Sequence, residues 1–263
     1  MFKFKLNTLG WIFTSAIAIL LCACALSLIT FGIQGVRPEL KPQKAEKTQS
    51  ASSYAFLGET PDYGRFYTDT IIFLCDTTLS PMKDENAISG DEGTLQIWTD
   101  ADGSLPLASN IDKTEIVIPT LEKSAYIADA VAEIKPQYLL ITVGFENGVR
   151  YCTEEQFKDY YTKLIVALKE ASPETKIIVN SIFPVSKRYE RKTAGISMEK
   201  IDAANAWIIE IAEEQNVKYL DSASALKNKK GYLDAKYDSG DGLHLNVDGY
   251  SEFLNYVRTH GYK

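Results

Sequence analysis

Thr70-Ile71-Ile72-Phe73-Leu74-Cys75-Asp76-Thr77-Thr78 reads as a buried strand running out into a polar turn. Residues 70–74 are β-branched or large and apolar, without the polar alternation of a strand that has one wet face, so this run is covered on both sides. Tyr138 to Val143 and Lys176 to Asn180 repeat the pattern, and Val217 to Leu220 is a weaker fourth run. Between them, Ala125 to Ile134, Glu154 to Lys169 and Met198 to Glu214 carry helical periodicity, with Thr153 and Ser197 placed to cap helix starts. A last helix is expected from Val247 to Thr259, presenting Tyr250, Phe253, Leu254 and Val257 on one face behind an Asn246 cap. Buried strands alternating with helices predict an α/β fold, a flavodoxin-like three-layer α/β/α sandwich on a parallel sheet with right-handed crossovers.

The first 60 residues have a different character. Leu9 to Ile33 contains no charged residue and is long enough to cross a bilayer as a helix. It exceeds the apolar stretch of a cleaved signal peptide, so a transmembrane anchor is expected at 9–33, after a cytoplasmic N-terminus at 1–8. Leu21-Cys22-Ala23-Cys24 offers a second reading, a lipoprotein box with Cys24 lipidated, but the following Ala25-Leu26-Ser27-Leu28-Ile29 stays apolar where such a protein turns polar. Residues 34–60, with Pro, Lys, Gln, Ser and Ala and little periodicity, read as a flexible linker, and 61–263 as the folded domain. The expectation is a single-pass protein of the cell membrane with its domain extracytoplasmic.

Hydrophobic residues make up 45% and charged residues 24% of the 263, which excludes a disordered chain. A net charge of -7, with no arginine-rich stripe interleaved with aromatics, argues against nucleic acid as partner.

In open parallel sheets ligands bind outside the carboxyl ends of the strands, so the strand exits are where chemistry is to be sought. The first strand leaves through Cys75-Asp76-Thr77-Thr78 and the Tyr138 run through Gly144-Phe145-Glu146-Asn147-Gly148. Ahead of the last helix, Asp241-Gly242-Leu243-His244 sets a carboxylate three residues before one of two histidines. At that spacing the carboxylate can fix the imidazole tautomer, leaving the other ring nitrogen to take a proton from a hydroxyl. His260 lies in the terminal stretch, where a cation simply suits a helix end.

These blocks resemble the SGNH (GDSL-like) hydrolases over residues 61–263. In that family the first block is Gly-Asp-Ser with serine the nucleophile; Cys75, Asp76 and Thr77 stand in register here, so two of the three differ. Gly103, in the turn after Trp98, matches the glycine whose backbone N–H binds the oxyanion, and a tryptophan before a small-residue turn is similar to a membrane-linked branch of the family. Asn147 stands for the side-chain oxyanion donor of Gly-x-Asn-Asp, with one extra residue after Gly144 and Gly148 in place of the aspartate. Asp-x-x-His fits at Asp241 and His244 without adjustment.

The resemblance implies hydrolysis of acetyl or acyl esters on carbohydrate or lipid substrates, with Thr77 as nucleophile, His244 as base and Asp241 stabilising the imidazolium. It implies no metal and no cofactor. Asp76 is expected to orient the turn through backbone N–H groups. Threonine keeps the hydroxyl, but its methyl stiffens χ1 and crowds the attack, so a catalytically impaired domain that binds an envelope glycan or peptide is the alternative. An unrelated flavodoxin-like binding module is a third reading, weakened by four blocks falling in chain order. Thr78 and Ser80 read as caps. Cys75 and Cys152 both fall near strand exits, where either a disulfide or two buried thiols fit. Lys227-Asn228-Lys229-Lys230 reads as a solvated basic loop, and Tyr160-Tyr161 as helix packing.

Overall fold

A computed structural model describes residues 54–84 and 95–263. The expected N-terminus, the membrane span at 9–33 and the linker as far as residue 53 lie outside the described residues. Among the described residues no helix is long and apolar enough to cross a membrane.

A short helix α1 (Gly64–Thr68) leads into β1 (Ile71–Cys75), which β2 (Ile97–Trp98) follows. A hairpin of β3 (Glu115–Ile118) and β4 (Lys123–Tyr126) runs into α2 (Ile127–Ile134) and then β5 (Tyr138–Thr142). Helix α3 (Glu154–Ala171) precedes β6 (Lys176–Asn180), and α4 (Lys187–Lys192) and α5 (Met198–Glu214) precede β7 (Lys218–Leu220). The chain closes through α6 (Ala223–Leu226) and α7 (Val247–Thr259). The main sheet has the order β2-β1-β5-β6-β7, and every adjacent pair is parallel.

Side chains leave a strand to alternate faces, and here each face builds its own core layer. On one side Leu74, Leu139, Ile141, Ile177 and Val179 pack with α2, α3 and α5; on the other, Ile71, Phe73, Leu140 and Ile178 pack with α6 and α7. That two-sided burial is why the strand runs lack polar alternation. Helix α3 supplies Phe157, Tyr161, Leu164, Ile165 and Leu168 as its buried stripe. Removing one such side chain, as in Leu164→Ala, costs about 2–5 kcal/mol.

The caps form as the sequence suggests. Thr153 and Gln156 make a reciprocal capping box, Ser197 accepts from the Lys200 N–H at 3.2 Å, and Asn246 accepts from the Gly249 N–H at 2.9 Å. Each holds a helix start that would otherwise leave N–H groups unpaired, worth about 1 kcal/mol.

Two differences from the sequence reading have physical causes. The helix expected from Ala125 starts at Ile127, because residues 123–126 are drawn into antiparallel pairing with Glu115–Ile118. Part of the expected linker is structured: Phe56 bridges Tyr219 on β7, the Leu57 N–H bonds the Tyr219 carbonyl at 2.9 Å, and the Tyr219 N–H bonds the Ala55 carbonyl at 2.8 Å. Of the two readings left open for the cysteines, free thiols hold, with Cys75 buried and Cys152 partly so. Cys75 sits in the α7-side core layer and Cys152 against the opposite one, so the sheet stands between them.

Candidate active site

Because the five main strands are parallel, their carboxyl ends share one edge of the sheet. Leaving β1, the Asp76 N–H continues the ladder to the Thr142 carbonyl at 2.9 Å. The Asp76 side chain is buried, with Oδ1 accepting from the Thr78 N–H at 3.0 Å and the Thr78 hydroxyl at 2.7 Å. Its Oδ2 accepts from the Phe145 N–H at 3.0 Å, which fastens the exit of β1 to that of β5. Burial pushes the carboxyl up to about 6, against the pull of the Thr78 hydroxyl and the N–H groups of Phe145, Thr78 and Gly144. Above that pH it is a carboxylate held by donors, the orienting role read from the sequence.

Of the hydroxyls beside it, Thr78 is spent on Asp76, and Ser80 donates to the Gly103 carbonyl at 2.8 Å. Thr77 is half-buried, and among the described residues its hydroxyl has no hydrogen-bond partner. Gly103 has a φ of 76°, and its N–H closes a turn onto the Asp100 carbonyl at 3.1 Å. The donor that family resemblance assigns to an oxyanion is thus engaged within its own loop.

Beyond β5, Gly144 takes a φ of 119° into a π-turn, Phe145–Val149. The Phe157 ring lies against this turn so closely that a Cβ on Gly148 would stand 2.7 Å from ring atom Cε2. Here is the reason for glycine where the family pattern has aspartate: α3 presses an aromatic face onto the backbone, and no side chain fits. Asn147 is half-buried with its amide unpaired among the described residues.

The Asp241 loop is held chiefly by its own carboxylates. Asp238 Oδ1 accepts from the N–H groups of Gly240 and Gly242, both at 2.8 Å, and Asp241 Oδ1 from those of Leu243 at 2.8 Å and His244 at 2.9 Å. Asp241 Oδ2 meets His244 Nδ1 at 2.6 Å. Burial raises the Asp241 carboxyl, but the Leu243 N–H, the His244 ring and the His244 N–H outweigh it and hold it down to about 2. The ionised partner selects the tautomer with a proton on Nδ1, leaving Nε2 as the basic nitrogen, unpaired among the described residues. His260 instead stacks on Tyr256, with centroids 3.7 Å apart, and its Nδ1 lies 3.0 Å from the Tyr256 carbonyl.

A chain of contacts runs from Asp76 to His244. Asp76 bonds Phe145; the Phe145 ring lies 6.3 Å from that of Tyr189 on α4; and Tyr189 and Ser186 crowd Gly242, whose carbonyl accepts from the Ser186 N–H at 2.8 Å. Thr77 and Asn147 sit on the loops leaving the carboxyl ends of β1 and β5, and the contacts of Gly242 with Ser186 and Tyr189 tie the Asp241–His244 loop into this chain. The sequence reading did not single out Ser186, Tyr189 or Phe157, which carry no catalytic atom and act by shape. It also passed over a buried polar ladder beneath the edge: Asn180 donates to the Thr142 hydroxyl at 3.2 Å and accepts from the Ser222 hydroxyl at 2.6 Å. Polar residues ending successive apolar runs are the only trace of it. Among the described residues no group of three or more His, Cys, Asp or Glu side chains is placed to hold a metal ion.

Residues 117–251 match the sequence profile of the GDSL-like Lipase/Acylhydrolase family. The match begins after Thr77, so it speaks for the fold and the last two blocks rather than for the nucleophile. No curated protein sequence matches the chain. Among solved structures, one described as an acylhydrolase from Bacteroides fragilis NCTC 9343 superposes with a TM-score of 0.53 at 14% identity, covering 82% of this chain and 95% of that one. A GDSL-like lipase from Bacteroides thetaiotaomicron VPI-5482 gives a TM-score of 0.51 at 14% identity, covering 73% and 86%. Identities this low speak for a shared fold.

Proposed function

The chain belongs to the GDSL-like Lipase/Acylhydrolase family, and on that premise we propose that it is a membrane-tethered, extracytoplasmic esterase removing acetyl or acyl groups from carbohydrate or lipid substrates. The observation that carries this reading is the 2.6 Å Asp241–His244 contact, with Nε2, like the Thr77 hydroxyl, unpaired among the described residues.

In this reaction Thr77 Oγ1 attacks the ester carbonyl while His244 Nε2 takes its proton. The tetrahedral intermediate collapses, the proton passes from Nε2 to the leaving alcohol, and an acyl-threonine remains. Water, deprotonated by the same nitrogen, attacks the acyl carbon and releases the carboxylic acid and free Thr77. Asp241 holds the imidazolium by charge and orientation. The Thr77 N–H and the Asn147 amide supply oxyanion donors, each worth about 3 kcal/mol in transition-state stabilisation. Gly103 joins them only if its N–H leaves the Asp100 carbonyl. The membrane tether rests on the uncharged run Leu9 to Ile33 and is tested by whether the protein resists carbonate extraction from membranes.

A second reading, an impaired domain that binds an acylated glycan or a peptide without cleaving it, is favoured by Cys75 and Thr77 standing where the family carries glycine and serine. Initial rates of aryl acetate hydrolysis by the full-length protein and its His244→Ala variant separate the two. A wild-type rate that vanishes in the variant supports the esterase; equal rates at the buffer background move the assignment to binding.

A further inference from the structure

The Lys227–Lys230 stretch looks like an ordinary solvated loop until its neighbours are known. Leu233, at the end of that loop, donates its N–H to the Val185 carbonyl at 3.0 Å, and Lys187 Nζ lies 5.9 Å from the centroid of the Tyr232 ring. The loop therefore lies beside α4, the segment Lys187-Arg188-Tyr189-Glu190-Arg191-Lys192. Helix α4 is in turn joined to the His244 loop: Arg188 donates to the Gly240 carbonyl and the Ser186 N–H to the Gly242 carbonyl.

Residues 187–192 and 227–241 hold eight cations and four carboxylates in a chain whose net charge is -7, and seven of the cations remain once Lys227 is set against Asp202, its ion-pair partner at 2.8 Å. The carboxylates are all engaged locally. Glu190 accepts from the Met198 N–H, Asp234 from the Lys236 N–H, Asp238 from Gly240 and Gly242, and Asp241 from Leu243 and His244. Lys187, Arg188, Arg191, Lys192, Lys229 and Lys230 are exposed. A cationic flank on an acidic protein, fastened to the loop that carries the candidate base, creates a local field that draws in the opposite charge.

We propose that this flank selects acylated polysaccharides carrying anionic groups, carboxylate or phosphate, so that the ester to be cleaved is presented to His244 by a negatively charged chain lying across α4 and the Lys227–Lys230 loop. The proposal rests on the esterase reading for its turnover and on the cationic surface alone for its binding. Sugar polymers are favoured over nucleic acid because the polymer held by the flank must itself bear the ester.

The test compares acetyl release by the full-length protein from O-acetylated polygalacturonate and from neutral O-acetylated xylan. The acidic polymer is expected to be preferred about tenfold in kcat/KM at low salt, with most of that preference lost near 0.5 M NaCl, where charges are screened within a few ångströms. The variant R191E/K192E/K229E/K230E should lower the ratio of acidic to neutral turnover. A ratio near one, or one that neither salt nor the variant changes, overturns the proposal. If neither polymer is cleaved, the esterase reading fails separately, and binding decides the flank: dextran sulfate should be retained and uncharged dextran should not, with retention weakened in the variant. Retention indifferent to the four substitutions, or single-stranded DNA bound more tightly than the acidic polysaccharide, overturns it as well.

Discussion

A Cβ placed on Gly242 would collide with the Ser186 hydroxyl and stand 3.0 Å from the Tyr189 Cβ, while the Ser186 N–H holds the Gly242 carbonyl. The backbone there has a φ of 91°, which L side chains rarely adopt. Position 242 is thus the point at which the loop carrying Asp241 and His244 is pressed against the exit of β6. We predict that Gly242→Ala lowers kcat on aryl acetate about a hundredfold, since a displacement near 1 Å at a reacting group costs that much. Adding Ser186→Gly should recover part of the loss. A Gly242→Ala protein with wild-type kcat would show that the clasp does not position the base.

The Thr77 methyl stiffens χ1 beside the attacking hydroxyl. Thr77→Ser frees χ1 without disturbing the donors or the Asp241–His244 pair, and should raise aryl acetate hydrolysis about tenfold. Thr77→Ala should abolish the nucleophilic route. A rate that survives Thr77→Ala yet disappears in His244→Ala would keep the enzyme and transfer the nucleophile to another group.

Asp241 links chemistry and stability. Its folded value, about 2, lies below the ordinary 3.8, so its contribution to stability is present above pH 3.8 and is lost as pH falls towards 2. The side chain is half exposed, which screens the effect to about 1 kcal/mol or less. Denaturant unfolding of wild type and Asp241→Asn should differ more at pH 5 than at pH 2. The asparagine also admits the wrong imidazole tautomer and should lower kcat by about 10³-fold. An equal gap at the two pH values would place the carboxyl's folded value elsewhere.

Asp76 works in the opposite sense. Its folded value, about 6, lies above 3.8, so the folded state keeps a proton that the unfolded chain has already released. Stability falls as pH rises from about 4 to about 6 and then levels, by a few kcal/mol. The stability difference, wild type minus Asp76→Asn, should shrink over that window. A difference constant from pH 4 to pH 7 would mean that the carboxyl titrates at its ordinary value.

Much of the architecture is legible in the sequence because burial on both faces leaves uninterrupted apolar runs, as at Lys176–Asn180, and because capping residues announce helix starts, as Thr153, Ser197 and Asn246 do. The β3–β4 hairpin is not legible, since its four-residue strands gain their pairing from each other and from the Thr99–Val117 bridge rather than from a strong local pattern. At the site, the Asp241–His244 contact follows from a three-residue spacing. The engagement of the Gly103 N–H with Asp100 does not, because a turn's internal hydrogen bond depends on backbone angles that residue types only bias. Gly148 shows the same limit: its need for glycine comes from the Phe157 ring on a distant helix, a contact made only by tertiary packing.

Ala55, Phe56 and Leu57, laid along β7, occupy the rim of the sheet. An uncovered rim of parallel strands is a template for a second molecule, and colloidal behaviour follows from whether it is shielded. A protein cut back beyond Leu57 should therefore self-associate in light scattering at concentrations where one retaining Tyr54 stays dispersed. The short segment joining the linker to the domain would then guard solubility as well as length.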